Sequence, residues 1–499
     1  MDAKVPQVAS DATVFKNKQI GDFYAEVQAV YLEDRKPWVL GYSGGKDSTA
    51  TLQVVWTAIS MLPPEKRHKH VYVISSDTYV ETPVIVNHID SNLSAINRAS
   101  KEQGLPFTAN KVVPKLIDTF WVCLLGKGYP APTTRFRWCT ERMKISPADV
   151  FILDRVAESG EIVMVLGARK GESASRDQVL KNREIKGSLL RKHSSLTNAY
   201  VYAPIEDFTT NDVWQYILSA ASPWGGDNSS LVGMYKSAAG GECPLVVDNS
   251  TPSCGNSRFG CWVCPVVDQD HSMESMVENG QEWMEPLLEI QRELASHKDP
   301  EIKKKIREIK RRDGRVWRSK SKGERKRGSR NWSKEEGEYI PGPYKIGYRK
   351  ELLRKVLIAQ KSIREHGPDS KANLIREDEL KAIRDIWRTE SQEWEDSIPK
   401  IYNEIFGDTD ILWDNEDVAS LRMNDGALLK DICENHDVPM HLVVKLVSLE
   451  RNMQGMAKRS GIFNKIDKIF SEDWKEEQEI QEILEMEAAE QNENQKTGS

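Results

Sequence analysis

The chain has 499 residues, 29% of them charged, and a formal net charge of −6. This length suits about two to four domains. No apolar run approaches the roughly 18–20 residues of a membrane-spanning helix, and the first residues lack the basic and then apolar profile of a signal peptide. We therefore expect a soluble, cytoplasmic protein without a membrane partner.

Charge is unevenly distributed along the chain. The stretch 298–330 carries 16 Lys and Arg against 5 Asp and Glu, whereas residues 471–499 carry 10 acidic residues against 2 Lys. Trp317 lies within the basic stretch and Trp332 just beyond it. Cations and aromatic rings suit phosphates and unstacked bases, although a solvated face or a protein-docking surface explains the same composition.

Hydrophobic periodicity predicts the elements in chain order. Residues 1–35 form a helical lead-in with Phe23, Val27, Val30 and Tyr31 on one face. Strands are expected at 38–40, 70–75, 108–113 and 162–166, and helices at 49–62, 84–103 and 147–159. Short apolar strands alternating with helices indicate an α/β fold with a doubly wound, mostly parallel sheet. We place this domain at 36–221, a Cys-rich loop region at 222–272, and a helical C-terminal region at 273–499.

The run from Gly41 to Ser48 joins the first strand to a helix. Such a turn aims backbone N–H groups and the positive helix end at one point, which suits a phosphate. Gly44 and Gly45 allow close approach of an anion, Lys46 adds a positive charge, and Ser43 and Ser48 add hydroxyl donors. The spacing differs from a Walker A loop, because three residues separate Gly41 from Gly45 and Asp47 follows Lys46.

Two further loops follow predicted strands at the edge of the sheet where ligands bind. Asp77 follows the second strand, where a carboxylate holds Mg²⁺ or bonds a nucleotide, or simply caps the next helix. Gly167, Arg169 and Arg176 belong to the loop after the strand at 162–166, and the two guanidinium groups suit pyrophosphate.

Four of the seven cysteines lie close together in a Gly- and Pro-rich region: Cys243, Cys254, Cys261 and Cys264. Their spacing predicts a metal site, either Zn or a [4Fe–4S] cluster.

Cys139 stands apart, beside Arg135, Arg137, Arg142 and Lys144. These cations are expected to lower its thiol pKa and favour a sulfur-handling or redox role, with a buried thiol or a cluster ligand replacing Cys243 as the alternatives. Cys123 and Cys433 are expected in the core.

The string Ser-Gly-Gly-Lys-Asp-Ser at 43–48 resembles the PP-loop of the ATP pyrophosphatases, which split ATP between its α and β phosphates. The segments 137–147, with Cys139-Thr-Glu, and 204–217, with Pro-Ile-Glu-Asp-Phe, resemble the phosphoadenylylsulfate (PAPS) reductase family. This resemblance covers about residues 36–220. It implies that residues 43–48, Asp77, Gly167, Arg169 and Arg176 bind ATP with Mg²⁺, and that Lys46, Asp47, Cys139 and Arg169 are catalytic.

The Cys-rich strings Gly-Glu-Cys-Pro and Cys-Gly-Asn-Ser-Arg-Phe-Gly-Cys-Trp-Val-Cys-Pro, followed by a long helical region, resemble the DndC family. These are the sulfurtransferases of Dnd DNA phosphorothioation systems. The resemblance implies replacement of a non-bridging DNA phosphate oxygen by sulfur, a [4Fe–4S] cluster on Cys243, Cys254, Cys261 and Cys264, a cysteine desulfurase as sulfur donor, and the partners DndD, DndE and DndB. A PAPS or adenylylsulfate reductase, a tRNA thiolation enzyme and a non-catalytic assembly module are the alternatives.

Overall fold

The computed structural model describes most of the chain. The described residues are 13–170, 183, 185, 187–193, 196–238, 260–312, 315–319, 332–333, 339–391, 393, 395–407, 411, 413, 423–436, 438, 440–453, 461–467 and 469–470. They divide into two compact units. The first unit lies within Met1–Phe120, Pro132–Ala295 and His366–Ala372, and the second within Trp121–Ala131, Ser296–Glu365 and Asn373–Ser499.

A six-stranded sheet forms the centre of the first unit. Its strands are β1 (Trp38–Gly41), β2 (Val71–Ser76), β3 (Phe107–Val112), β4 (Ile162–Val165), β5 (Arg191–Lys192) and β6 (Ala199–Tyr202), in the spatial order β3-β2-β1-β4-β6-β5. All neighbours pair in parallel except β5, which is antiparallel to β6. In the register of the two central strands Trp38 lies opposite Val71. The predicted doubly wound, mostly parallel sheet is therefore confirmed.

Among the described residues of the first unit, eight helices of two or more turns pack around this sheet or follow it. They are α1 (Ile20–Glu33), α2 (Lys46–Ser60), α3 (Pro83–Glu102), α4 (Ser146–Ser159), α5 (Thr210–Ser219), α6 (Asn228–Ala238), α7 (His271–Glu278) and α8 (Glu285–Ser296). The four predicted apolar residues of α1 are all buried. Helix α6 lies in the region from 222 onward that shows no clear sequence period, so the pattern did not predict it.

Both faces of the sheet are covered, as a parallel sheet requires. On one face, side chains of α1, α2, α3, α5 and α6 join the inward residues of the strands, among them Trp38, Leu40 and Val73, in a large core. On the other face a smaller core forms around Val39, Ile74 and Ile152 of α4. Since both cores fix the strands from opposite sides, the loops at the carboxyl ends of β1, β2 and β4 have rigid anchors.

The second unit is mainly helical, which confirms the helical C-terminal region. Its helices are α9 (Pro300–Ile306), α10 (Ile346–His366), α11 (Glu377–Thr389), α12 (Ser397–Phe406), α13 (Met423–Asn435) and α14 (Met440–Met453), and a short antiparallel pair joins β7 (Arg318–Ser319) to β8 (Trp332–Ser333). Both Cys123 and Cys433 are buried, as expected. No helix among the described residues is long and apolar enough to cross a membrane.

An earlier segment of the chain, Trp121–Ala131, belongs to this second unit. Its π-helical turn Val122–Gly126 ends in carbonyls that accept hydrogen bonds from two buried side chains. Arg349 donates to the Gly126 carbonyl at 2.7 Å, and the Trp387 indole donates to the Leu125 carbonyl at 2.7 Å. Burial lowers the pKa of Arg349 to about 10. These bonds satisfy carbonyls that a helix end leaves open.

Candidate functional site

The loop that the sequence predicts to bind phosphate, residues 43–48 (the phosphate loop), leads from the end of β1 into the first turn of α2. Gly45 is the N-cap of α2, and Lys46 and Ser48 are buried in its first turn. The Ser43 N–H donates to Ser48 Oγ at 3.2 Å, and Ser48 Oγ donates to the Gly45 carbonyl at 2.9 Å. These bonds hold the loop in its turn around the N-terminus of α2, where N–H groups and the helix dipole favour an anion.

Three charged side chains form a chain of contacts beside this loop. Lys46 is only 6% exposed and its Nζ lies 3.0 Å from Asp47 Oδ2. The other carboxylate oxygen of Asp47 accepts from Arg169 Nε at 2.7 Å. Arg169 is itself buried, and its second nitrogen contacts Thr210 Oγ1 at 3.3 Å. The structure thus brings Arg169 to Lys46 and Asp47, which precede it by more than 120 residues in sequence.

Two glycines of the site have no space for a side chain. Gly44 has φ +73°, a left-handed conformation that favours glycine, and a Cβ there would approach Ile89 within 3.1 Å and His88 within 3.3 Å. At Gly167 a Cβ would lie 2.8 Å from the Asp47 carbonyl oxygen. The Gly167 backbone therefore packs directly on the first turn of α2. Arg176 lies outside the described residues.

Asp77 lies at the carboxyl end of β2, but it does not cap a helix. Its carboxylate accepts from the Tyr79 N–H at 2.8 Å and from Lys111 Nζ at 3.0 Å, whereas the N-cap of α3 is Thr82. Tyr79 has φ +62°, which is uncommon for a residue other than glycine. A Mg²⁺ ion at Asp77 would have to compete with the ammonium group of Lys111.

A second site in the same unit is a cavity of about 210 Å³ lined by three cysteines. Cys139, Cys261 and Cys264 line it together with Thr140, Lys144, Asp270 and others. Cys243 and Cys254 lie outside the described residues. The structure therefore unites Cys139, which the sequence sets apart, with the Cys-x₂-Cys pair of the Cys-rich region.

Backbone pairing brings Cys261 to the end of β2. Cys261 forms an isolated antiparallel bridge with Glu81, and the Trp262 N–H donates to the Val80 carbonyl at 2.9 Å. The Cys261 sulfur lies 3.4 Å from Thr78 Oγ1 and 3.9 Å from Glu81 Oε1. The loop after β2 thus carries Asp77 at one end and contacts the cysteine cavity at the other.

Helix α8 holds the other side of this Cys-x₂-Cys turn. The buried Gln291 amide donates to the Cys264 carbonyl at 3.2 Å and to the Val267 carbonyl at 3.3 Å. The Cys264 N–H closes the turn by donating to the Cys261 carbonyl at 3.0 Å. The two cysteines are therefore fixed by backbone and side-chain bonds on both sides.

Cys139 lies in a single helical turn, Trp138–Thr140, that continues into a π-helical turn at Glu141–Ile145. Trp138 stacks on Phe120 with ring centroids 5.6 Å apart, which anchors the turn. Burial and the nearby Cys264 raise the pKa of the Cys139 thiol. The expected low pKa of this thiol is therefore wrong, because Lys144 lowers the pKa by less than burial and Cys264 raise it.

The thiols and their neighbours influence one another electrostatically. Burial raises the pKa of Cys261 to about 12, and burial also raises the pKa of Glu81. The negative charge of Cys261 in its thiolate form, followed by that of Glu81, raises the pKa of Lys144. Thiolates in this cavity therefore need a positive counter-charge, and Lys144 lies where it can supply part of it.

This donor set is compatible with an iron–sulfur cluster. Within the part of the chain that the structure describes, no three His, Cys, Asp or Glu side chains are close enough to hold a single metal ion. The three cysteines instead surround a cavity, and cysteine thiolates are the usual ligands of iron–sulfur clusters. Three thiols that line one cavity are donors of the kind that such a cluster takes, and Zn takes the same donors.

Several residues of the two sites were missed by the sequence interpretation. Glu81 and Thr78 lie in the same loop as Asp77, and their contact with Cys261 has no local sequence signal. Tyr235 of α6 contacts the phosphate loop from a region without clear periodicity. His88, in the second turn of α3, packs against Gly44. Only the fold reveals these neighbours.

Two family models match the chain. Residues 37–226 match the phosphoadenosine phosphosulfate reductase domain. Residues 424–471 match a small protein found in certain Dnd DNA modification systems. The first match covers β1 to the loop before α6, and hence the phosphate loop, Asp77, Cys139 and Arg169. The second covers α13 and α14.

Similar proteins were also found among curated sequences and solved structures. An uncharacterised protein of Methanocaldococcus jannaschii is 24% identical over 265 residues, which are 52% of this chain and 44% of that protein. The chain thus spans less than half the length of this relative. PAPS reductase from Candida auris, solved with phosphate, is 14% identical over 42% of this chain and 84% of its own, with a TM-score of 0.27. The U34-tRNA thiolase NcsA from Methanococcus maripaludis, solved with its [4Fe–4S] cluster, is 12% identical. The match covers 55% of this chain and 77% of the thiolase chain, with a TM-score of 0.26.

Proposed function

We propose that this chain, which carries a PAPS reductase domain and a segment typical of Dnd DNA modification systems, is an ATP-dependent sulfurtransferase that makes DNA phosphorothioate. The observation that carries the proposal is that one compact unit holds both a phosphate loop and a cavity lined by three cysteines. ATP activation and sulfur handling need these two sites.

The chemistry follows from the poor leaving ability of a phosphate oxygen. A non-bridging oxygen of the DNA phosphate attacks the α phosphorus of ATP, the bond to the β-phosphate oxygen breaks, and pyrophosphate leaves. A cysteine desulfurase supplies sulfur as a persulfide, and a dithiol reductant, which becomes a disulfide, releases this sulfur as sulfide. The sulfide then bonds to the DNA phosphorus. The bond to the adenylate oxygen breaks and AMP leaves, so the first step turns an oxygen into a leaving group.

The phosphate loop stabilises the charge that develops on pyrophosphate. Lys46, the N–H groups at the start of α2 and the hydroxyls of Ser43 and Ser48 surround the place where an anion binds. Asp47 holds Lys46 and Arg169 by one carboxylate oxygen each. Both cations are therefore positioned before the nucleotide arrives, which avoids reorganisation during the reaction.

Two cofactors complete the proposal. Mg²⁺ would be held at Asp77, where it would displace the Lys111 ammonium group and neutralise phosphate charge. Cys139, Cys261 and Cys264 would hold a [4Fe–4S] cluster, with Cys243 or Cys254 as a further ligand, and this cluster would supply a soft metal centre for sulfur. The basic residues of 298–330 would contact the DNA backbone, and residues 424–471 would associate with the other Dnd proteins.

The test measures where sulfur goes. Anaerobically purified protein is incubated with ATP, Mg²⁺, a cysteine desulfurase, ³⁵S-cysteine, a dithiol reductant and either duplex DNA or tRNA, with the other Dnd proteins present. We expect ³⁵S in DNA phosphorothioate, only when ATP is present. Label in tRNA instead would replace the proposal by tRNA thiolation.

A reductase is the second candidate, because the matched domain is that of PAPS reductase. Such an enzyme releases sulfite from PAPS or adenylylsulfate without consuming ATP. We expect no sulfite from either compound in the presence of a dithiol reductant. Sulfite release at a rate that exceeds DNA labelling would favour the reductase.

A further inference from the structure

One aromatic side chain contacts the phosphate loop from outside every motif of the sequence. Tyr235 belongs to α6 and is 7% exposed. Its hydroxyl lies 3.3 Å from the Lys46 backbone nitrogen, which donates to it. A Cβ on Gly45 would lie 3.3 Å from the same oxygen. The phenol oxygen therefore lies at the N-terminus of α2, where an anion is expected.

The ring of Tyr235 also positions the lysine of the loop. Lys46 Nζ lies 5.7 Å from the centre of the Tyr235 ring, within the range of a cation–π contact. The ring itself is fixed by the buried Trp214 of α5, which meets it edge-on with centroids 5.0 Å apart. Lys46 thus has Asp47 on one side and an aromatic face on another.

We propose that Tyr235 is a further nucleotide-binding residue of this site and donates its hydroxyl proton to the phosphate held by the loop. A phenol oxygen can accept one hydrogen bond and donate its own proton in another. An anion at the N-terminus of α2 places acceptor oxygens within reach of that proton, and a hydrogen bond to a charged acceptor is among the stronger ones. This inference rests on the proposed function, since it assumes that the loop binds the phosphates of ATP.

The experiment compares Tyr235→Phe with Tyr216→Phe in the full-length protein. The first variant removes the hydroxyl and keeps the ring, its packing on Trp214 and the cation–π contact. Tyr216 is the matched control, because it is also buried in this unit and its hydroxyl bonds to Tyr24 rather than to the loop. Binding of inorganic pyrophosphate, of AMP and of an ATP analogue with a methylene bridge between the α and β phosphates is measured by calorimetry with Mg²⁺.

We expect Tyr235→Phe to bind pyrophosphate and the analogue about tenfold more weakly, because it lacks one hydrogen bond to a charged group. AMP binding should stay within about twofold, since AMP lacks the leaving phosphates, and Tyr216→Phe should bind all three ligands like the wild type. The rise in Tm caused by pyrophosphate, compared within each variant, should be smaller for Tyr235→Phe. Because each rise in Tm is measured relative to the same variant without ligand, a change in the stability of the free protein does not affect the comparison.

Two results would overturn the inference. If Tyr235→Phe binds pyrophosphate as tightly as the wild type and Tyr216→Phe do, Tyr235 does not contact the phosphate. If the wild type binds neither pyrophosphate nor the analogue, the proposed function fails together with the inference.

Discussion

The phosphate loop consists of one continuous stretch, residues 43–48. The cysteine cavity, in contrast, is formed by segments near residues 81, 139 and 261–264, which lie far apart in the sequence. The loop is a local structure, because a strand, a glycine turn and a helix are encoded side by side. The cavity exists only once the loop after β2 has paired with Cys261. In the proposed function the two sites serve separable steps, ATP cleavage and sulfur transfer.

The largest expected effect is on the loop side of this comparison. Lys46→Ala removes the buried cation beside Asp47, and we expect ATP cleavage to fall by about 100-fold or more, as when one preorganised electrostatic group is removed from an active site. The iron and sulfide content should equal that of the wild type. The measurements are AMP release and iron analysis, with the exposed Lys101→Ala as a control that changes neither.

Replacing cysteines of the cavity should have the opposite effect, with loss of iron and sulfur transfer but not of ATP cleavage. Cys261→Ser and Cys264→Ser should lower iron and acid-labile sulfide and abolish sulfur incorporation into DNA, since serine oxygen is a poor iron ligand. ATP cleavage should stay within about twofold of wild type, because the loop is intact. Cys123→Ala, in the second unit, is the control for loss of a thiol. A parallel loss of ATP cleavage in the cavity variants would mean that the sites are not separable.

Replacing Cys139 tests whether this residue belongs to the same site as Cys261 and Cys264. If it is a cluster ligand, Cys139→Ser should lose iron as Cys261→Ser does. A variant that keeps its iron but no longer installs sulfur would instead assign Cys139 a direct role in sulfur transfer. Full activity in Cys139→Ser would remove it from both roles.

A smaller effect on ATP cleavage is expected from the ion pair that joins Arg169 to Asp47 beside the phosphate loop. Arg169→Ala leaves the Asp47 carboxylate with Lys46 as its remaining cationic partner, and we expect a loss of about 2–3 kcal/mol in the free energy of unfolding, because a mostly buried ion pair is broken. ATP cleavage should fall about tenfold or more through misplacement of Asp47. Denaturant unfolding of Arg169→Ala, Asp47→Asn and the double variant gives the coupling between them. A coupling near zero would contradict the contact.

The smallest effect concerns pH. Burial lowers the pKa of His88, which packs against Gly44. Since the unfolded chain then binds the proton more readily, the stability that His88 contributes is present above its unfolded pKa of about 6.5 and is lost as the pH falls. Replacement by Gln should flatten the fall in stability below pH 6.5. His88→Gln unfolding with the same pH dependence as the wild type would show that His88 is not desolvated in the folded state.

The sequence predicted most of the first unit because the evidence there is local. The strands near residues 38, 71 and 162 are short apolar runs, and α1 buries the four residues that its period selects. The placement of Arg169 after β4 could be predicted, but not its bond to Asp47, since this depends on how β4 pairs with β1. The environment of Cys139 could not be predicted, because a run of cations in sequence does not reveal that the thiol is buried next to Cys264.

The most direct test of the central claim uses ATP labelled at the α phosphate, with anaerobically purified protein, Mg²⁺, duplex DNA, the sulfur donor and the other Dnd proteins. We predict that the label is recovered in AMP, that unlabelled pyrophosphate is released, and that both depend on Lys46. Release of labelled ADP, or no cleavage of ATP while sulfur still enters DNA, would contradict the assignment of residues 43–48 as the ATP-cleaving site.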